Sequence, residues 1–320
     1  MPTKLPPSTL LVPRRFFSST TPKHSHENPL GLPQKGTIPR FQRGLPAKRP
    51  IPSVAHIIAV SSAKGGVGKS TIAANLSLAF TRLGHRTGLL DTDLFGPSVP
   101  TLFSLNSPPN LTPKNQLIPL TNYGVKTMSI GYLIGSESAP IVWRGPMLLK
   151  AIQQLLHDVD WSPGLDVLVL DLPPGTGDVQ LSITQQIPLS GAVIVTTPHT
   201  LAVKDAVKGV EMFEKVDVPV LGLVQNMSLF TCPCCSTKTP VFGGTEGVKK
   251  MCEDYGMEFL GDVPLHPNIG EDASRGKPTV VAEPESERAG VFMDVARRLG
   301  EKIGLGGGRG DGRKSVRAGV

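Results

Sequence analysis

The stretch Val60-Ser61-Ser62-Ala63-Lys64-Gly65-Gly66-Val67-Gly68-Lys69-Ser70-Thr71 constrains the fold more than any other part of the chain. An apolar run, Ile57–Val60, precedes it, and a stretch of helical composition, Thr71-Ile72-Ala73-Ala74-Asn75-Leu76, follows. Strand, glycine-rich loop and helix in that order make a phosphate cradle. Glycines let successive backbone N–H groups turn inward on an anion, and the helix N-terminus adds its positive end. On this reading Gly65, Gly66, Val67 and Gly68 form the loop around ATP, and Lys69 reaches the outer phosphates. The hydroxyl of Ser70 ligates Mg2+, and Thr71 completes the contact set. The bland alternative is a Gly-rich turn between strand and helix, which has no need of Gly-Lys-Ser. The strict G-x-x-x-x-G-K-S pattern asks for Gly where this chain has Ala63, a residue small enough for the turn.

At 320 residues the chain can hold one large α/β domain or two small ones. No apolar run approaches the roughly 18–20 residues of a membrane span, so no transmembrane segment is expected. The net charge of +7 is unevenly placed. Residues 1–50 carry nine Lys or Arg against one acid, Glu27, a balance of +8 that leaves −1 for the other 270. The basic excess therefore belongs to the leader, and the body offers no electrostatic footprint for nucleic acid. Residues 1–52 are Pro-rich, Arg-rich and acid-poor, without apolar periodicity. That composition suits a mitochondrial transit peptide and linker, with Arg14-Arg15-Phe16-Phe17-Ser18 resembling a processing site cut before Ser18. A disordered basic tail without an address is the alternative.

From residue 53 the pattern becomes strand–helix alternation. Short apolar runs mark strands at Ala55–Val60, Thr87–Leu90, Val125–Ile130, Val167–Leu170, Ala192–Thr196, Val220–Val224 and Glu258–Gly261. Helical stretches fall at Ser70–Leu83, Pro146–His157, Leu201–Val216, Thr245–Tyr255 and Glu285–Lys302. Alternating βα units with a phosphate loop after the first strand predict one α/β domain over 53–303: a doubly wound, mostly parallel sheet with its ligand at the strand C-terminal ends. Residues 304–320, Gly-rich and basic, read as a disordered tail. Trp143 and Trp161 read as packing residues, and the scattered histidines suggest no metal site.

Carboxylates follow at two strand ends. Leu89-Leu90-Asp91-Thr92-Asp93 puts two on a turn, where a carboxylate can orient water or simply cap a helix. Leu168-Val169-Leu170-Asp171 ends an apolar strand in the Walker B manner, placing Asp171 near the Mg2+ shell. The following Pro173-Pro174-Gly175-Thr176-Gly177 builds a loop that must run close to the γ-phosphate. Three of the four cysteines, Cys232, Cys234 and Cys235, crowd into one segment, a pattern of metal or redox sites rather than of a disulfide framework. Cys252 reads as a core residue.

Lys64-Gly65-Gly66-Val67-Gly68-Lys69-Ser70 resembles the deviant Walker A loop of the MinD/nitrogenase-iron-protein class of P-loop NTPases. The resemblance implies dimeric ATPases in which Lys64 crosses to the partner's nucleotide, making Lys64, Lys69 and Asp93 the catalytic set, with Asp93 beside the attacking water. It also implies a hydrogen bond from Asn226 to adenine. With Cys232-Pro233-Cys234-Cys235 the resemblance narrows to the Mrp/Nbp branch, and within it to the mitochondrial NUBPL-type members that serve complex I assembly. It covers residues 40–303. That branch binds an iron–sulfur cluster through a Cys-x-x-Cys pair, here Cys232 and Cys235; Cys234 sits where the branch needs no cysteine.

The chemistry of the pair is consistent with that and with other ligands. Two thiolates are half the ligand set of a [4Fe–4S] cluster, so a homodimer bridged by the cluster would complete it. Zinc accepts the same four sulfurs, and a redox pair needs no metal. The expectation is an ATP-dependent [4Fe–4S] carrier of the mitochondrial matrix, with iron–sulfur donors and acceptor apoproteins, complex I subunits among them, as partners. The rival is a ParA/MinD-like positioning ATPase with a zinc or redox Cys-x-x-Cys. It would want a basic amphipathic C-terminal helix or a DNA-binding surface, which the glycine-rich tail and near-neutral body do not offer.

Overall fold

The structure, a computed structural model, describes residues 48–134, 145–232, 234–235 and 237–305. Its elements run β1 (Val54–Ser61), α1 (Lys69–Arg82), β2 (Thr87–Asp91), α2 (Val99–Leu102), β3 (Leu120–Asn122), β4 (Val125–Ser129) and α3 (Gly131–Ile134). After α4 (Gly145–His157) come β5 (Leu165–Asp171), α5 (Asp178–Gln186), β6 (Gly191–Thr196), α6 (Thr200–Lys215) and β7 (Val220–Gln225). A short hairpin, β8 (Phe230–Thr231) and β9 (Lys238–Thr239), precedes α7 (Glu246–Asp254) and β10 (Phe259–Asp262). Three helices finish the chain: α8 (Pro267–Ser274), α9 (Thr279–Ala282) and α10 (Glu287–Lys302).

Eight strands form one sheet in the order β10-β7-β6-β1-β5-β2-β4-β3, parallel except for β3. The central strands are buried on both faces, which is why Ile57–Val60 and Val167–Leu170 are unbroken apolar runs rather than alternating ones. The chain leaves β1 through α1 toward β2, but leaves β5 through α5 toward β6 in the opposite direction. Right-handed crossovers therefore put α1 and α5 on opposite faces, and the winding reverses beside β1. α1 packs on β5, β2 and α10, with Phe80, Phe292 and Leu299 in the core, while α6 packs on β6 and α7. The reversal leaves a crevice at the C-terminal ends of β1 and β5, where the phosphate loop and Asp171 emerge.

All the expected strands and helices are present, with ends shifted by a residue or two. The last helix begins at Glu287 rather than Glu285 because Ser286 is its cap, its Oγ accepting from the N–H of Ala289 at 3.1 Å. The boundary of the folded body at 53 falls a few residues late: Ile51 is buried in the core, and the N–H of Arg49 donates to the carbonyl of Gln186. At the other end Gly304, at φ 75°, lets the N–H of Leu305 return to the carbonyl of Gly300. Trp161 is buried as expected; Trp143, the leader up to residue 47 and the tail from 306 lie outside the described residues. The edge strand β3, the β8–β9 hairpin and helices α2, α3, α5, α8 and α9 were not foreseen.

Candidate functional site

The loop between β1 and α1 takes the shape its glycines permit. Gly66 and Gly68 have φ of 80° and 84°, and Gly68 is the residue from which α1 starts, its carbonyl accepting from the N–H of Ile72. A β-carbon on Gly68 would lie 2.2 Å from Nδ2 of Asn226, so this close approach also requires glycine. Asn226 stands just past the end of β7. Its N–H donates to the carbonyl of Thr196, and its Nδ2 donates to the carbonyl of Val67 at 2.8 Å. Asn226, the residue that the resemblance assigns to adenine, thus also braces the phosphate loop.

Lys69 is 6 % exposed, and its Nζ forms an ion pair with Oδ1 of Asp171, which has no exposed surface. The same Nζ donates to Oγ of Ser70 at 3.3 Å. Burial pushes the Asp171 carboxyl up, with the Lys69 ammonium pulling the other way. Oδ2 of Asp171 is buried without a hydrogen-bond partner. A hydroxyl and a carboxylate that share one ammonium, with one carboxylate oxygen left without a hydrogen bond, suit a hydrated divalent cation, so Ser70 and Asp171 fit Mg2+. Lys64, by contrast, is exposed and makes no ion pair among the described residues.

The two aspartates after β2 do different work. Asp91 is fully buried and accepts from four donors: the N–H groups of Asp93, Ser98 and Val99 and the hydroxyl of Ser129, at 3.0–3.2 Å. Burial, and then the neighbouring Asp171, push its carboxyl up to about 7. It fastens the turn after β2 to the start of α2, so the capping alternative describes Asp91. Asp93 is half-buried, accepts from the N–H groups of Phe95 and Gly96 at 3.2 Å, and acts electrostatically on Asp171. Both carboxylates act on the Lys69–Asp171 centre; Asp91 is held by its four donors, and Asp93 is the less buried of the two.

The loop after Asp171 lies against the phosphate loop. The N–H of Gly175, at φ 100°, donates to the carbonyl of Ser62, and Pro174 lies beside Gly65. Gln180, on α5, was missed by sequence reasoning. Its Oε1 accepts from the Ser61 hydroxyl at 3.2 Å, and its Nε2 donates to the carbonyl of Pro173, so one buried amide ties the two loops together. Two residues beyond a strand-ending Pro-Pro-Gly-Thr-Gly-Asp, a Gln carries no distinctive signal. On the other side of Gly68, a cavity of about 420 Å3 is lined by Thr71, Asn226, Met227, Phe230, Leu265 and His266 among others. It is mostly apolar and of a size for a nucleoside.

The cysteines lie at the far end of the run Asn226–Cys232. Phe230 and Thr231 pair with Thr239 and Lys238, and the N–H of Cys232 donates to the carbonyl of Thr237, closing a loop that carries Cys232, Cys234 and Cys235. Cys232 is half-buried, and the other two are exposed. Sγ of Cys235 lies 3.2 Å from Oγ1 of Thr237. Hydrogen bonds from the Thr237 side chain and backbone, and then from Cys232, hold the Cys235 thiol below its usual range, favouring the thiolate that binds metal. Cys232 and Cys235 are therefore neighbours. Cys252 is buried in α7, where burial pushes its thiol up. Among the described residues no group of three His, Cys, Asp or Glu side chains is placed to hold a metal.

Comparison with known proteins shows the family. The sequence model of the NUBPL iron-transfer P-loop NTPases, in the ParA group, matches residues 53–300. The mouse iron–sulfur cluster transfer protein NUBPL is 51 % identical over 265 residues, covering 82 % of each chain. An Arabidopsis thaliana iron–sulfur protein required for mitochondrial NADH dehydrogenase is 47 % identical over 77 % of this chain and 78 % of its own. Among solved structures, a nucleotide-binding protein from Archaeoglobus fulgidus in complex with ADP superposes with a TM-score of 0.62 at 34 % identity, over 74 % of this chain and 91 % of that one.

Proposed function

This chain belongs to the NUBPL iron-transfer family of P-loop NTPases, and from that premise we propose that it is a homodimeric, ATP-dependent carrier that delivers a [4Fe–4S] cluster to apoproteins of the mitochondrial matrix, complex I subunits among them. The observation that carries the reading is the joining of both chemistries by one short run. Asn226 is bonded to the phosphate loop, and Cys232 begins the thiol pair. The names of the mouse and Arabidopsis relatives support the cargo and the destination. The basic, acid-poor leader supports the address.

The residues divide the labour. Gly65–Gly68 turn backbone N–H groups toward the phosphates, with Thr71 beside them and Asn226 behind. Lys69 exchanges its buried partner Asp171 for the phosphate oxygens, so ATP competes with an internal carboxylate that already holds the ammonium in place. Ser70 and Asp171 would hold Mg2+, which supplies charge neutralisation at the phosphates. Asp93 orients the attacking water from the half-buried turn, and Lys64, unpaired and exposed, is free to reach the partner's nucleotide. Separation of Lys69 from Asp171 leaves the loop after Asp171 responsive to the γ-phosphate. Cys232 and Cys235 supply one half of the cluster's ligands, and the partner's pair supplies the other half.

The rival, a ParA/MinD-like positioning ATPase with a zinc or redox Cys-x-x-Cys, shares the nucleotide chemistry and differs in the surface it would act on and in what the thiols hold. Anaerobic purification followed by metal and acid-labile sulfide analysis separates them. Iron with equal sulfide supports the carrier. Zinc without sulfide, or no metal after reconstitution with iron and sulfide, refutes it.

A further inference from the structure

A second cavity, of about 380 Å3, opens beside Cys232 between the β8–β9 hairpin and the first turn of α10, and the nucleotide reading makes no use of it. Its charged lining is Lys238 and Arg288 together with Asp262 and Glu287, and Cys232 and His266 stand in the wall. Lys238 and Glu287 are exposed and form no ion pair among the described residues. Arg288 pairs with Glu283 through one terminal nitrogen, while its Nε has no partner. Asp262 accepts from Nε2 of Gln225 at 3.1 Å, which fixes its carboxylate in place.

Two cations and two carboxylates in one concave space discriminate against a simple anion and a simple cation alike, because either would meet like charge as well as opposite charge. A ligand carrying both signs satisfies the site. Its volume falls in the range of small-molecule pockets; a single amino acid leaves most of it empty, whereas a tripeptide fills it. The half-buried Cys232 in the wall selects for a sulfur-bearing ligand, since a neighbouring thiol can share a metal with it. We propose that this cavity binds a small zwitterionic thiol peptide of the γ-glutamyl-cysteinyl-glycine class. Its carboxylates lie toward Lys238 and Arg288, its ammonium toward Asp262 and Glu287, and its sulfur toward Cys232.

The choice of a thiol and its use rest on the carrier function proposed above, whereas the charge complementarity of the cavity does not. One chain brings two thiolates to iron, and a bound thiol adds a third. Its S–H bond breaks heterolytically, the proton passes to solvent, and the sulfur donates an electron pair to iron without any change of oxidation state. A lone chain could then hold a cluster between transfers that two cysteines alone could not.

The test uses the full chain, free of metal and under argon, titrated calorimetrically with S-methylglutathione, which keeps the charges and cannot ligate or form disulfides through a thiol. Saturable one-to-one binding is expected. Lys238→Glu and Glu287→Lys, both surface changes that leave the fold intact, should each weaken it about tenfold, the loss of one charge-assisted contact. Lys249→Glu, an exposed lysine of α7 away from the cavity, should bind as wild type does. Alkylation of Cys232, followed by peptide mass spectrometry, should slow with ligand while that of Cys234 does not. Absence of saturable binding, or equal binding by all the variants, overturns the proposal. Equal affinity for free cysteine overturns the assignment to a peptide. Iron loading is assayed separately, so failure to load iron with tripeptide binding intact refutes the carrier reading alone.

Discussion

Behind the phosphate loop Lys69 and the strand-end aspartates are buried and paired within the chain, whereas at the cysteine loop two of the three thiols are exposed and the third is only half-buried. Lys69, Asp171 and Asp91 have at most 6 % of their surface exposed, and each has a partner supplied by a strand end or a loop closed over it. Cys234 and Cys235 are exposed on a hairpin whose strands are two residues long. The first region is set before any ligand arrives, because an internal ion pair already holds the Lys69 ammonium. The second is incomplete, since two thiols fill only half of a cluster's needs and, among the described residues, no group of three ligands is placed to hold a metal. Stability should accordingly be concentrated at one end of the run 226–232, and dependence on a second chain at the other.

The sharpest way to break this contrast is Lys69→Ala. Removal of the ammonium leaves Asp171 buried without compensation, at a cost of about 3 kcal/mol in unfolding free energy, and ATP binding should be lost as well. Urea unfolding and equilibrium titration with ATP give the two readings. Unchanged stability would mean that the nucleotide end is not held by its internal ion pair.

Asp91→Asn comes next. An amide N–H turned against one of four donors should cost about 1–3 kcal/mol, and it should also change the pH profile. With its carboxyl raised from 3.8 to about 7, the folded state keeps a proton that the unfolded chain has already released. The stabilisation from this group is thus complete below about pH 4 and is lost as pH rises through about 7. Wild-type stability should fall relative to Asp91→Asn between pH 5 and 8, and parallel curves would contradict the burial argument.

Smaller still in its effect on the fold is Asp93→Asn, since Asp93 is half-buried and its contacts are to an exposed turn. ATP affinity should survive while hydrolysis slows by about a hundredfold or more, the signature of a group that acts on water rather than on nucleotide. Equal losses of affinity in Lys69→Ala and Asp93→Asn would remove the distinction between them.

The same contrast explains what could be read from the sequence. The phosphate loop, Asp171 and the strands were legible because glycine spacing and unbroken apolar runs are local signals, and the fold puts them where those signals imply. Gln180 and the complete cradle of Asp91 were not, because the Ser61 hydroxyl that reaches Gln180 and the Ser129 hydroxyl that reaches Asp91 come from other strands, and no single stretch announces them. Strand β3 escaped because Tyr123-Gly124, at φ of 50° and 80°, makes a tight turn without the usual Asn-Gly or Asp-Gly. The β8–β9 hairpin escaped for want of length, and it is the element that carries the cysteine loop. The adjacency of Cys232 and Cys235 followed from their spacing; the seclusion of Cys252 in α7 followed from the core-like helix around it.

Removing a cysteine from the exposed loop should leave the urea midpoint unchanged, so any loss there is a loss of ligand rather than of fold. The central claim, that each chain gives two thiols to a shared centre, is tested most directly by iron and sulfide per chain together with mass by light scattering, in wild type and in Cys232→Ala, Cys234→Ala, Cys235→Ala and Cys252→Ala reconstituted anaerobically without added small thiols. Wild type should carry about four irons per pair of chains and be loaded only as a dimer. Cys232→Ala and Cys235→Ala should carry none, while Cys234→Ala and Cys252→Ala should load as wild type does. A stable four-iron monomer under these conditions, or iron lost in Cys252→Ala and retained in Cys235→Ala, would contradict the account.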